Sequence, residues 1–332
     1  MDRQPPHPDP DQRPRTADLF LRLAEHPRVV AIKEASGNLE QIARICAERP
    51  PDVAVLAGDT TGRTSSLASA AERLGLRVHS AELVREGGFA AWLESERVDL
   101  LLNIHSLFLV HPGALDTPTI GCFNLHPGPL PRYAGLNAPS WAIYHGEARH
   151  GTTVHWMTQE IDAGPVAYQE FFEITPEDTG LSVTTKCVRL GVPLVSKVVE
   201  AAVDGQAAIP RIEQDPRDRT YLPPGPPDGG RVSWSAPARR IVDFVRAADY
   251  LPFPSPWGHP RTTTGSQELE ITKASSTGES TNGARPGTVK STRARGVLVA
   301  AADEWVLLER VRVAGGATWA SEVLRPGMRL ET

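Results

Sequence analysis

Apolar positions recur along this chain in short β-branched runs separated by stretches of helical period. Thr16 is a candidate N-cap, with Leu19, Phe20 and Leu23 spaced as one helix face. The runs Val29–Ile32 and Val53–Leu56 read as buried strands. Between them Leu39, Ile42, Ala43 and Cys46 share a helix face, so residues 28–59 read as one βαβ unit closed by Gly58 and Asp59. The alternation continues with a helix at Ser65–Leu74, a short strand at Arg77–His79, a helix at Gly88–Ser95, and strands at Val98–Leu102 and Thr119–Leu125. Strands alternating with helices predict an α/β fold built on a doubly wound, mostly parallel sheet. In such sheets ligands bind beyond the carboxyl ends of strands, which points to the residues just after Leu102 and Phe123.

A strand-like run at Thr152–Met157 and a long helix at Asp178–Asp204 follow. Residues 214–230 are rich in proline and glycine and read as a linker. Beyond it, Ala236–Ala248 has helical period. Leu269–Ile271, Gly296–Ala301, Trp305–Val313 and Met328–Leu330 read as strands, and Ser275–Gly287 reads as a loop. The expected organisation is therefore a disordered tail over 1–15, a βαβ segment over 16–59 that completes the sheet, a catalytic domain over 60–213, the linker, and a small β-rich domain over 231–332.

The chain has 332 residues, a net charge of −5 and 40% hydrophobic residues, which suits a two-domain globular protein and excludes bulk disorder. No apolar run approaches the ~18 residues that span a bilayer. The cysteines, Cys46, Cys122 and Cys187, lie far apart and form neither a zinc motif nor a disulfide framework. The proline-rich N-terminus lacks the apolar core of a secretory signal. The expected location is the cytoplasm, with no metal and no membrane partner.

Residues 123–131 hold the most informative chemistry. On a strand of period two, Asn124 and His126 project from one face at its carboxyl end, and the following prolines and Gly128 stop the strand. An amide can donate to an oxygen that gains negative charge, and an imidazole can exchange a proton near neutral pH. Asp162, in the turn after Thr152–Met157, is the candidate carboxylate to orient the imidazole. The bland alternative is a turn cap, a packed histidine and a turn-starting aspartate.

Residues 123–166 closely resemble the core of the formyltransferases that use 10-formyltetrahydrofolate, the group that includes methionyl-tRNA formyltransferase and sugar N-formyltransferases. The likeness spans roughly residues 53–332, and Arg231–Ala238 resembles the start of that family's C-terminal domain. It implies a Rossmann-like catalytic domain followed by an OB-like module. It also implies a catalytic set of Asn124, His126 and Asp162, and direct acyl transfer through a tetrahedral intermediate. 10-Formyltetrahydrofolate would be the co-substrate, held by the Ser106–Val110 loop (Phe108, Leu109 and Val110 above all), by Pro127 and Leu130, and by a turn containing Ile161 and Gly164. The acceptor would be a small-molecule or carrier-bound primary amine: an amino-sugar nucleotide, a carrier-bound amino acid or methionyl-tRNA. The tRNA is the least supported, because no basic insertion appears and the Arg285, Lys290, Arg293, Arg295 cluster also reads as a solvated loop.

Residues 16–59 depart from that pattern and resemble a fragment of dihydrodipicolinate synthase, with Lys33 at the position of its Schiff-base lysine. A lone βαβ piece is far short of the about 250 residues of a (β/α)₈ barrel. The competing functional expectations are thus a Lys33-dependent lyase, a formyl-folate hydrolase, or an inactive hybrid that only binds folate. Among the other histidines, His105, His111, His145, His150 and His155 have no zinc-ligand spacing and read as surface or supporting residues. Trp141 and Trp156 read as core. The Tyr250–Pro260 segment reads either as an acceptor-site lining or as a rigid connection on the core.

Overall fold

The computed structural model describes residues 79–104, 108–265, 267–293, 296–314 and 316–332, and the backbone alone of 31–34, 54–57 and 292–293. The expectations for residues 1–15, the helices after Thr16, Asn38 and Ser65, Val29 and Val30, Cys46, Arg77 and Val78, His105, Ser106, Leu107, Arg295 and the Lys33 side chain lie outside the described residues. Among the described residues, the two strands of the βαβ unit form a two-stranded sheet of their own, where the sequence predicts that they complete the larger sheet. β1 (Ala31–Glu34) and β2 (Ala54–Ala57) pair in parallel, Ala31 opposite Ala54.

The described residues fall into two compact units, each built from three chain segments: 1–126, 152–170 and 188–215 in the first, and 127–151, 171–187 and 216–332 in the second. In the first unit, α1 (Phe89–Ser95) precedes β3 (Leu100–Ile104), which lies parallel to β4 (Gly121–His126). The sheet's order is β3, β4, β6 (Arg149–Trp156), β7 (Val166–Glu173), and β4 runs antiparallel to β6. Period-two alternation sorts β4 onto two cores. Cys122 joins Leu101, Phe89 and Leu93 on one face, while Phe123 and Leu125 join Leu194, Val195, Val198 and Val199 on the other. Asn124 and His126 therefore project on the Cys122 face, as the spacing predicts. The second face is covered by α3 (Gly180–Ala202), which follows α2 (Ala138–Tyr144) in the chain. A Cβ on Gly191 would lie 2.6 Å from Leu125 Cδ1, so this helix needs a glycine where it meets β4.

In the second unit, β5 (Ala134–Gly135) pairs in parallel with β8 (Tyr221–Leu222). α4 (Ala238–Ala247) sets Ile241, Phe244 and Val245 into a core shared with Trp141, Trp234 and Trp257. An antiparallel sheet follows, ordered β11 (Val289–Arg293), β12 (Gly296–Ala300), β13 (Glu304–Val313), β10 (Gln267–Ser280), β9 (Arg261–Thr264), with β14 (Gly316–Trp319) on β13. Register shifts along β10 curl this sheet into an open, OB-like half-barrel. A final turn of helix, α5, spans Ala320–Val323.

Two further expectations are corrected. Met328–Leu330 forms no strand; Arg329 and Glu331 make only isolated bridges, to Thr288 and Thr263. The loop read over Ser275–Gly287 is strand as far as Ser280, because Ala274, Ser275 and Ser276 pair with Leu308, Leu307 and Val306. Backbone pairing to an apolar neighbour overrides the low strand propensity of serine and glycine. Among the described residues no helix is long and apolar enough to cross a membrane.

Candidate active site

The carboxyl ends of β3 and β4 bring two amides together. Asn103, opposite Asn124 in the parallel register, donates from Nδ2 to Asn124 Oδ1 at 2.9 Å. That bond fixes the amide's orientation and turns Asn124 Nδ2, with its two hydrogens, the other way. There it lies 3.1 Å from His155 Nε2 and 3.5 Å from Asp162 Oδ1. His126 is buried, and its Nδ1 lies 3.5 Å from Asp162 Oδ2. His155 Nε2 faces the other carboxylate oxygen at 3.4 Å. One buried carboxylate is thus shared by two imidazoles and an amide. The three residues singled out in the sequence do converge.

His155 completes the set. It is 2% exposed and sits opposite Asn124 across the antiparallel β4–β6 pair. Its Nδ1 faces Trp156 O at 2.8 Å, an acceptor only, so Nδ1 carries the proton. Nε2 then accepts from Asn124 in the neutral ring, or donates to Asp162 in the charged one. The strand period alone does not reveal this role, since it depends on the cross-strand register.

Asp162 adopts a left-handed backbone (φ 52°), unusual for a residue other than glycine. The turn around it is cramped. A Cβ on Gly164 would lie 1.9 Å from Trp156 O, so glycine is required there. The side chain of Gln214 reaches the same turn, donating from Nε2 to Asp162 O at 2.9 Å and Gly164 O at 2.6 Å. Asn103 and Gln214 were not singled out in the sequence. Asn103 follows Leu102, where the strand-end rule points; Gln214 sits in the segment read as a linker and gave no signal.

The residues expected to hold a folate are distributed as follows. Phe108 packs against the core beneath β3, Leu109 is 62% exposed and Val110 is buried. Ile161 is 37% exposed in the Asp162 turn, and Gly164 is buried. Pro127 and Leu130 belong to the second unit, where Leu130 is buried and Pro127 O faces His150 Nε2 at 2.9 Å. Exposed aliphatic side chains on the Phe108–Val110 segment and on the Asp162 turn, with polar amides at the strand ends, suit a flat heteroaromatic ring bearing a polar reactive atom. Among the histidines read as surface or supporting, His145 is exposed, whereas His150 and His155 are buried. Trp141 and Trp156 are buried, as expected. In the Tyr250–Pro260 segment Trp257 is core, while Leu251 and Phe253 are exposed. No cluster of metal-ligating side chains occurs among the described residues.

A family model described as formyl transferase matches residues 12–199, and one described as formyl transferase, C-terminal domain, matches residues 226–326. A methionyl-tRNA formyltransferase of Roseiflexus castenholzii is 31% identical over 261 residues, 79% of this chain and 80% of that protein. The N-formyltransferase from Helicobacter canadensis, solved with folinic acid and dTDP-3-aminofucose, superposes with a TM-score of 0.60 at 15% identity, over 84% of this chain and 98% of that one. HypX from Aquifex aeolicus, solved with tetrahydrofolic acid, gives a TM-score of 0.57 at 18% identity, over 90% of this chain and 47% of that longer one. At these identities the two structures establish the fold. The resemblance of residues 16–59 to dihydrodipicolinate synthase finds no support, since the N-terminal family model runs across those residues, and a lyase built on Lys33 is likewise unsupported. By sequence, domain content and fold, the chain belongs to the formyl transferase family and is an N-formyltransferase.

Proposed function

We propose that this enzyme moves the formyl group of 10-formyltetrahydrofolate onto a primary amine, with Asn124, His126 and Asp162 as its reacting set. The observation that carries the reading is the convergence of Asn124 and His126 on the buried Asp162 carboxylate, each 3.5 Å from one of its oxygens. The folate supplies an electrophilic formyl carbon whose oxygen gains negative charge when the amine attacks; the bond from that carbon to N10 then breaks, and N10 takes up the proton that the attacking nitrogen loses, which leaves the N-formyl product and tetrahydrofolate. Asn124 Nδ2, pointed by Asn103, donates to that oxygen, and the His126 imidazole adds a second donor when protonated. Asp162 keeps the His126 proton on the ring and fixes the ring's orientation. Leu109 and Ile161 give the pterin apolar contact, and the neighbouring backbone supplies polar partners.

The acceptor is proposed at the level of a primary amine. In the basic cluster Lys290 is engaged, 2.6 Å from Glu279 and 4.8 Å from the Trp305 ring centroid, while Arg285 is exposed. Methionyl-tRNA, an amino-sugar nucleotide and a carrier-bound aminoacyl group are therefore all acceptors for the assay to separate.

The test is to incubate the enzyme with 10-formyltetrahydrofolate and methionyl-tRNA, an amino-sugar nucleotide or a carrier-bound aminoacyl group, and to follow tetrahydrofolate release and N-formyl product. Asn124→Ala, His126→Ala and Asp162→Ala each lower turnover by about 100-fold or more, the usual loss for a preorganised donor or proton carrier. Release without any N-formyl product would make the enzyme a hydrolase. Near-normal rates in the three variants would remove the assignment.

A further inference from the structure

The turn that presents Asp162 is closed from within by two bonds to Glu160 O, from Thr158 Oγ1 at 3.0 Å and from Ala163 N–H at 3.4 Å, and Asp162 itself is in the left-handed region. Gln214 adds a clamp on the far side of the turn, at the carbonyls of Asp162 and Gly164. Its Nε2 carries two hydrogens, and they go to the carbonyls of Asp162 and Gly164, on either side of Ala163. Gln214 is fixed in turn by Ile212, two residues earlier, which exchanges both backbone bonds with Val166 at 2.8 and 3.0 Å. The remaining amide atom, Oε1, is buried and has no hydrogen-bond partner among the described residues. Burying an unpaired amide oxygen is unfavourable, so methionine or leucine would fill this space at lower cost. The gain must lie in the two bonds that Nε2 makes.

We propose that Gln214 is a positioning residue for formyl transfer: it clamps the Asp162–Gly164 turn and thereby holds the Asp162 carboxylate against His126. The kinetic part rests on the function proposed above; the structural part does not.

Two variants test it. Gln214→Glu keeps the shape but, ionised, has no hydrogen to donate and sets a charge against two carbonyls. Gln214→Met keeps the length and removes all polarity. Both are expected to lower kcat by about tenfold or more while the amine KM stays within about threefold, because misplacing a catalytic group costs rate rather than binding. The Glu variant should regain activity relative to wild type as pH falls through about 6 to 4, where its carboxyl recovers one donor; the Met variant should not. An activity-independent readout is the NMR ring resonances of His126 and His155, both of which face Asp162. Loosening the carboxylate from 3.5 and 3.4 Å should shift the resonances of both rings in the Met variant. If wild type releases no tetrahydrofolate with any amine but the ring resonances still shift, the function fails and the clamp stands. If wild type is active and both variants match its kcat and ring resonances, even with lower Tm, the clamp is overturned and the function stands.

Discussion

At the scale of single residues, the site depends on one backbone carbonyl, Trp156 O, which takes part in two constraints. It faces His155 Nδ1 at 2.8 Å, setting that ring's tautomer, and it lies where a Cβ on Gly164 would have to go. Gly164→Ala is therefore expected to displace either the Asp162 turn or the β6 end that carries His155. Backbone overpacking of this kind costs about 1–3 kcal/mol. The denaturant midpoint should fall accordingly, and kcat should fall further than the stability loss explains, because both displaced groups touch Asp162. A variant with wild-type kcat would show that the turn tolerates the shift. Sequence reasoning could find Asn124 and His126, because a strand's period of two is local and the prolines after it mark the strand end. It found Asp162 through chemistry, as the carboxylate an imidazole needs. It could not assign His155, Asn103 or Gln214 their roles, since each is set by a partner 31, 21 or 52 residues away.

At the scale of elements, the start of α3 shows how local sequence and tertiary contacts cooperate. Thr179 and Ser182 cap each other reciprocally: Thr179 N–H donates to Ser182 Oγ at 2.9 Å, and Ser182 N–H to Thr179 Oγ1 at 3.3 Å. Asp178 lies beneath them, accepting from Thr175 N–H and Ser182 Oγ at 2.7 Å each and pairing with Lys186 at 2.5 Å. Arg246 of α4 donates to the Asp178 carbonyl at 2.7 Å, tying the two helices together. Burial alone would raise the Asp178 pKa, but the Lys186 ammonium, the Thr175 amide and the Ser182 hydroxyl together hold it below the ordinary aspartate range. Because the folded pKa lies below the unfolded one, the stabilisation is complete above about pH 4 and is lost as pH falls through the folded value. Asp178→Asn should cost about 2 kcal/mol near neutral pH, typical of hydrogen bonds to a buried charge, and the gap should close under acid. Parallel thermal melts from pH 7 to pH 2 would read this, and a constant gap would mean that charge plays no part. The helix itself was legible from its period, read at Asp178–Asp204 and found at Gly180–Ala202. The end of β10 was not, because serine and glycine carry no strand signal until β13 lies beside them.

At the scale of the whole molecule, the chain passes between the two compact units five times, after residues 126, 151, 170, 187 and 215. Three of those crossings fall inside β6, β7 and α3, so single elements contribute to both units. A strand or helix cannot keep half its backbone bonds in a folded unit while the other half melts without fraying through the boundary. The two units are therefore expected to unfold as one. Two buried cysteines report on this, Cys122 in the first unit and Cys187 in the second. Burial, with a lesser push from Asp116, raises the Cys122 thiol to about 12. Burial also raises the Cys187 thiol well above its ordinary value. The thiolate is the reactive form, so both are expected to resist alkylation in the native protein at pH 8. Pulsed iodoacetamide labelling across a urea series, read by peptide mass spectrometry, should show both sites opening at one midpoint. If Cys187 labels at distinctly lower urea than Cys122, or the reverse, the shared elements do not couple the units. The Asp162 carboxylate, in the same unit as Cys122, would then survive partial unfolding of the other unit.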